Sequence, residues 1–252
     1  NTKPETLNPN RMCTVTYIPT RAGFILTHNR DEAPTRSPTH ISREKPAGDV
    51  LLFPRDTKAG GAWVVAAGNG DSACLLNGAF IKHHHTPPYR RSRGLVMLDF
   101  FNWKNPDVFF REYELDGIEP FTFLYFRQND CTELRWDGIQ RHLRRLQPGE
   151  PHFWCSATLY PPDMQIRREQ VFRQWLSKQS SAPTPNDLRI LHRTGSVGDP
   201  ENDFVMNRGS RVCTVSITQI ILTKGIFRMH YLDLLEGNRD TRQVTARERQ
   251  DN

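Results

Sequence analysis

Two short runs that are apolar on both faces constrain this chain more than any other feature. Trp63-Val-Val-Ala-Ala67 and Ser72-Ala-Cys-Leu-Leu76 flank Gly68-Asn-Gly-Asp71. That link is rich in residues that tolerate the φ > 0 conformations of a tight hairpin. A strand with one wet face alternates apolar and polar residues. These two do not, so both of their faces must be covered. A sheet buried on both sides needs further layers above and below it.

The rest of the chain offers such layers. Cys13 to Ile18 and Phe24 to Thr27 read as strands joined by a turn at Pro19 to Gly23. Asn29 to Pro38 reads as polar, irregular chain, and Leu51-Leu-Phe53 as a short strand. Apolar residues at 95, 96, 98, 100, 101 and 103 predict a helix over 93–103, and Asn105-Pro-Asp caps another over 108–113. Strands follow at 121–127 and 131–137, then helical periodicity at 163–177, a short helix from Pro185, and strands at 212–222 and 225–231. Strands, helices and strands again predict an α+β fold, which two antiparallel sheets between helices would satisfy. Residues 1–12 read as a leader, 13–237 as one domain and 238–252 as a loose, charged tail.

Composition excludes several classes. The 252 residues are 37% hydrophobic, enough for a sizeable core. The net charge of +6 is diluted along the chain, and the densest clusters, Arg90 to Arg93 and Arg141 to Arg145, are short. They read as solvated basic surface, with no signature of nucleic-acid binding. No stretch approaches the ~18 apolar residues of a membrane span. Cys13, Cys74, Cys131, Cys155 and Cys213 are odd in number, widely spaced and without a C-x-x-C pair. That argues against a disulfide framework or zinc site and for a reducing, cytoplasmic location. His83-His84-His85 reads as an exposed loop, since adjacent residues cannot all reach one ion and no acidic partner is placed nearby. Neither metal nor cofactor is expected.

The chemistry points to one end of the first hairpin. Cys13 follows Met12 directly. Removing Met12 and whatever precedes it would free an α-amino group with a pKa of about 7.7–8.0, beside a thiol whose ordinary pKa is about 8.5. One residue then supplies nucleophile and base. Asn29-Arg30-Asp31-Glu32 follows the second strand, whose end antiparallel pairing returns beside the start of the first. A guanidinium there would lower the thiol pKa, and a carboxylate would hold the α-ammonium. Asn77-Gly78 ends the strand from Ser72, and an Asn amide with the following Gly N–H suits an oxyanion. As plain structure, the same residues are a core cysteine, a polar turn and a common Asn-Gly turn. His28 adjoins the tetrad and reads equally as a second layer of the site or a plain strand residue.

These residues, in this order, resemble the NRDE family of transport-and-Golgi-organisation proteins, which typically begin Met-Cys and carry the Asn-Arg-Asp-Glu tetrad. Arg36, Gly60-Gly61-Ala62-Trp63, Leu76-Asn77, Ser92-Arg93-Gly94 and Gly209-Ser210-Arg211 are similar to further family motifs, so the resemblance runs from Cys13 to about Tyr231. The family is similar to choloylglycine hydrolases and penicillin acylases. That implies a four-layer αββα sandwich of two antiparallel sheets, the N-terminal-nucleophile hydrolase fold. It also implies Cys13 as nucleophile, Arg30 and Asp31 as its organisers, Asn77 as oxyanion donor and Arg211 as a second nearby arginine. Asn29, Trp154 and Ser156 would touch substrate. Ser156 departs from the family, which usually has an asparagine at that point.

Two functions follow from the resemblance. One is an amidohydrolase acting on a non-peptide C–N bond of a small-molecule amide. The other is a carrier of a hydrophobic ligand such as haem, because eukaryotic relatives have been linked to secretory-pathway organisation and haem trafficking.

Overall fold

The computed structural model describes residues 12–246, except 37, 47 and 210. The expected leader, Met12 apart, and the last six residues lie outside the described residues. The strands are β1 (Met12–Thr20), β2 (Gly23–Glu32), β3 (Ile41–Glu44), β4 (Leu51–Pro54), β5 (Val64–Ala67) and β6 (Ser72–Asn77). Helices α1 (Arg93–Phe100) and α2 (Pro106–Glu112) come next, then β7 (Phe121–Arg127), β8 (Asp130–Trp136), β9 (Arg141–Leu146) and β10 (His152–Cys155). Helices α3 (Pro162–Ser177) and α4 (Pro185–Thr194) precede β11 (Asn207–Arg208), β12 (Val212–Thr223), β13 (Ile226–Asp233) and β14 (Arg239–Thr245).

These form two seven-stranded antiparallel sheets. One runs in chain order from β3 to β9. The other has the order β10-β1-β2-β12-β13-β14, with β11 beside β12. The first hairpin thus joins strands from the far end of the chain. The two sheets pack face to face through Tyr17, Phe24, Leu26, Val64, Ala66 and Phe126. On the outer side of the β3–β9 sheet, α1 and α2 bury Val96, Phe100 and Phe109 against Val65, Ala67 and Phe123. On the outer side of the other sheet, α3 and α4 bury Phe172, Leu188 and Leu191 against Ile18 and Ile25. The fold is therefore α+β in four layers, helix–sheet–sheet–helix. The hairpin β5–β6 is covered on both faces, as its uniform apolarity demands.

Two expectations need correcting. The tetrad is not irregular chain: β2 continues through Glu32, and Asn29 to Glu32 are buried in mid-sheet. The basic cluster at Arg141 to Arg145 is exposed, as expected, and forms the edge strand β9, whose charge discourages pairing with other chains. Residues 239–245, expected to trail loosely, form β14 on the open edge of β13.

Asn29 shows why polar residues are tolerated inside β2. Its amide donates to the carbonyls of His192 (2.8 Å) and Phe204 (2.7 Å) on the helix side. Its Oδ1 lies 2.7 Å from His192 Nδ1, and His192 Nε2 lies 2.8 Å from Thr16 Oγ1. With both amide hydrogens spent, Oδ1 must accept. His192 is therefore protonated on Nδ1 and accepts from Thr16 at Nε2. Burial, then the fields of His28 and Arg168, push its pKa down to about 3 and keep it neutral. Replacing Asn29→Ala removes three buried hydrogen bonds and should cost about 2–4 kcal/mol in urea unfolding.

Candidate active site

Strand geometry places the tetrad. Successive side chains of a strand point to opposite faces. Cys13 pairs with Arg30, so both point between the sheets, while Met12 pairs with Asp31. Arg30 and Glu32 face the β3–β9 sheet, and Asn29 and Asp31 face the helices. The expected Arg–Asp pair is thus split across β2.

Between the sheets, Arg30 Nη2 lies 2.5 Å from Asp56 Oδ2 and 3.6 Å from Glu32 Oε2. Its guanidinium stacks 3.6 Å from the Trp63 ring. Asp56 Oδ1 accepts the N–H groups of Lys58 and Ala59, which holds the turn into Gly60-Gly61. Gly61 must be glycine, because a Cβ there would stand 2.4 Å from the backbone carbon of Gly94. The Gly-Gly-Ala-Trp and Arg-Gly segments therefore meet backbone to backbone, and Ala62 N donates to Gly94 O. That contact brings Arg93 to the pocket wall beside Cys13. Glu119 Oε2 holds Arg93 at 3.0 Å, and His83 and His85 both reach Glu119 Oε1. The histidine tract thus has an acidic partner that spacing did not reveal. Burial pushes Glu119 up, but the bond from His83, the charge of Arg93 and the bond from His85 together hold it at about 2.

On the helix side, Asp31 Oδ1 accepts the Thr214 hydroxyl at 2.5 Å, and Oδ2 makes no hydrogen bond among the described residues. Burial lifts its pKa to about 6, against the Thr214 bond and the positive charges of Arg168 and Arg208. A β-bulge at Val215 makes this possible. Asp31 pairs with Thr214, and Arg30 with Ser216, so the extra residue turns Thr214 toward Asp31's face. Sequence reasoning missed Asp56, Thr214 and Arg168. Each meets the tetrad across a sheet or layer, and no local spacing marks such a meeting.

Cys13, Arg30, Asp31, Glu32, Asp56, Trp63, Asn77 and Arg93 line one cavity of about 50 Å³, room for roughly one or two waters. The thiol is not activated as expected. Burial, then Asp31, push its pKa far above the ordinary value, and Arg30 recovers only part of that shift. Asn77 lies in the cavity wall, but the N–H of Gly78, expected as a second oxyanion donor, donates to Pro120 O at 3.0 Å. Ser156 is fully buried behind Cys13. Its N–H donates to Cys13 O and its hydroxyl to Asn77 O at 2.6 Å, so it ties the two strands together. Trp154 packs in the inter-sheet core and donates to Glu133. Asn29 is engaged with α4, and Arg211 is exposed at the turn before β12. None of these four lines the cavity. His28 is buried on the Cys13 face, and burial, then Arg30, push its pKa down to about 3. Among the described residues, no group of three His, Cys, Asp or Glu side chains is arranged to hold a metal, and no helix is long and apolar enough to cross a membrane.

A family model described as Transport and Golgi organisation 2 matches residues 12–204. No curated protein matches the sequence. Among solved structures, a cysteine-to-alanine mutant of conjugated bile acid hydrolase from Clostridium perfringens superposes with a TM-score of 0.57 at 11% identity. The match covers 95% of this chain and 100% of that one. Penicillin V acylase from Agrobacterium tumefaciens gives 0.53 at 9% identity, covering 91% of this chain and 85% of that one. The shared architecture is the N-terminal-nucleophile hydrolase fold.

Asp31 sets a pH dependence. Its folded pKa of about 6 exceeds the unfolded value of 3.8, so the folded chain keeps a proton that the unfolded chain releases. Stability relative to an Asp31→Asn variant should therefore fall as pH rises from about 4 to 6, by about 3 kcal/mol, and stay flat above. Urea unfolding of both proteins between pH 4 and 7.5 measures this.

Proposed function

The chain belongs to the Transport and Golgi organisation 2 family, and from that membership and the site geometry we propose that it is an N-terminal-nucleophile amidohydrolase. It would cleave a non-peptide C–N amide bond with Cys13, once the Met12–Cys13 bond has been cut. One observation carries this reading. The β1–β2 register divides the work, with the thiol beside Arg30 on the inner face and the Asp31 carboxylate opposite Met12, where a freed α-ammonium would emerge.

The chemistry follows from these positions. With Met12 attached, the chain nitrogen is an amide and cannot act as a base. Once freed, the amine takes the thiol proton, and its charge offsets Asp31, the largest charge that opposes the thiolate. The thiolate attacks the amide carbonyl, and the Asn77 amide would donate to the resulting oxyanion. The ammonium then protonates the departing amine. Water, deprotonated by the same amine, hydrolyses the thioester and returns the thiol. A cavity of about 50 Å³ does not hold a whole acyl group, so the body of a substrate would extend out of its open mouth. The names of the two solved neighbours, a bile acid hydrolase and a penicillin acylase, support the reaction class.

The raised thiol pKa of the Met12-bearing chain favours a second reading, a carrier that holds a ligand such as haem without turnover. A chain made to begin at Cys13 separates the two. Iodoacetamide at pH 7.5 should alkylate Cys13 in it at least about tenfold faster than in the Met12-bearing chain, because the thiolate fraction rises tenfold per pKa unit. It should also release amine from some members of an N-acyl amide panel, and Cys13→Ala should abolish this. Equal, slow alkylation of both chains would sink the nucleophile. Fast alkylation, with saturable ligand binding and no amine released, would favour the carrier.

A further inference from the structure

A cavity much larger than the cysteine pocket lies away from Cys13. Helices α3 and α4 cover only part of their sheet, and among the described residues no helix lies on the outer face of β13 and β14 beyond α4. Between α4 and that bare face runs a groove of about 430 Å³. Small-molecule sites span about 300–1,000 Å³. Ile217 and Gln219, on β12, reach it from the helix side, opposite the face that carries Cys13. It is therefore not an extension of the cysteine pocket.

Its chemistry is one-sided. Arg189 and Arg193, one turn apart on α4, line one wall, and Arg239 on β14 lines the other. Arg189 leans on Gln219 at 2.8 Å, while the side chains of Arg193 and Arg239 have no ion-pair or hydrogen-bond partner among the described residues. His230 lies between the walls, and burial, then Arg189 and Arg228, push its pKa down, as a positive surrounding requires. Among the described residues that line the groove, the one acidic residue, Asp240, bonds with its carboxylate to Ile41 N and Arg242 Nε. Ile190, Ile217 and Leu232 add apolar surface beside the cations.

We propose that this groove binds a free amphipathic organic anion, with a phosphate or carboxylate end between Arg193 and Arg239 and an apolar body over Ile217 and Leu232. Guanidinium forks match the paired oxygens of either group. The cations alone would accept any oxyanion, whereas the volume and apolar walls call for an organic body. The proposal is independent of the chemistry at Cys13.

Calorimetric titration of the full chain with 1-naphthyl phosphate, 1-naphthoate, 1-naphthol and inorganic phosphate tests it. At least one naphthyl anion should bind saturably and at least tenfold tighter than naphthol or inorganic phosphate. Arg193→Glu combined with Arg239→Glu should weaken that binding at least tenfold, with an unchanged melting temperature and unchanged alkylation of Cys13. Ile190→Ser should weaken the naphthyl anion alone. Binding that survives the double charge reversal, or that is equal for naphthol, would overturn the assignment. So would co-sedimentation with anionic vesicles without naphthyl-anion binding, because the arginines would then serve a membrane surface.

Discussion

Everything at the candidate site depends on the two-residue alternation of β2. Four polar and charged side chains in a row cross the middle of a layered protein, and the pleat sends them alternately to its two faces. Arg30 and Glu32 enter the space between the sheets, and Asn29 and Asp31 enter the sheet–helix interface. Each must find partners where it lands, since a buried polar group left unpaired is costly. Arg30 finds Asp56 and the Trp63 face. Asn29 finds two carbonyls and His192. Asp31 finds Thr214 with one oxygen, and the other makes no hydrogen bond among the described residues.

The balance of charge and burial then decides the state of the thiol. Two guanidiniums in the cavity favour thiolate, but the desolvated sulfur and the carboxylates of Asp31 and Glu32 oppose it more strongly. A covalently extended Cys13 is therefore held neutral. A positive charge created at its own nitrogen would offset the largest opposing charge, that of Asp31. The neutral resting state and the reactive state proposed above thus differ by one peptide bond. The same sheet presents a second, cationic cavity on its opposite face, where α4 stops short of β13 and β14. The two cavities share a sheet but no lining side chain.

Much of this was written in the local pattern of the chain. The doubly apolar hairpin β5–β6 required covering layers. The 3.6-residue periodicity marked the helices, and the Met-Cys start with the tetrad and the ordered glycine segments pointed to the family and to Cys13, Arg30, Asp31 and Asn77. Those features are local, so one sequence suffices to read them. Asn29 to Glu32 were misread as loop because polarity normally marks exposed chain, and here it marks a strand whose partners arrive from distant segments. The edge strands β9 and β14 were missed because charged edges carry no apolar alternation.

Only the tertiary structure decided which side of β2 each residue serves. It placed Asn29, Trp154, Ser156 and Arg211 away from the cavity around Cys13 and brought Asp56, Arg93 and Thr214 to the tetrad. It also set the thiol's protonation, which depends on how completely the surrounding layers exclude water. Sequence determines which groups a chain carries and the period at which they recur. Their partners and their dielectric surroundings come from residues far along the chain, and packing alone brings those together.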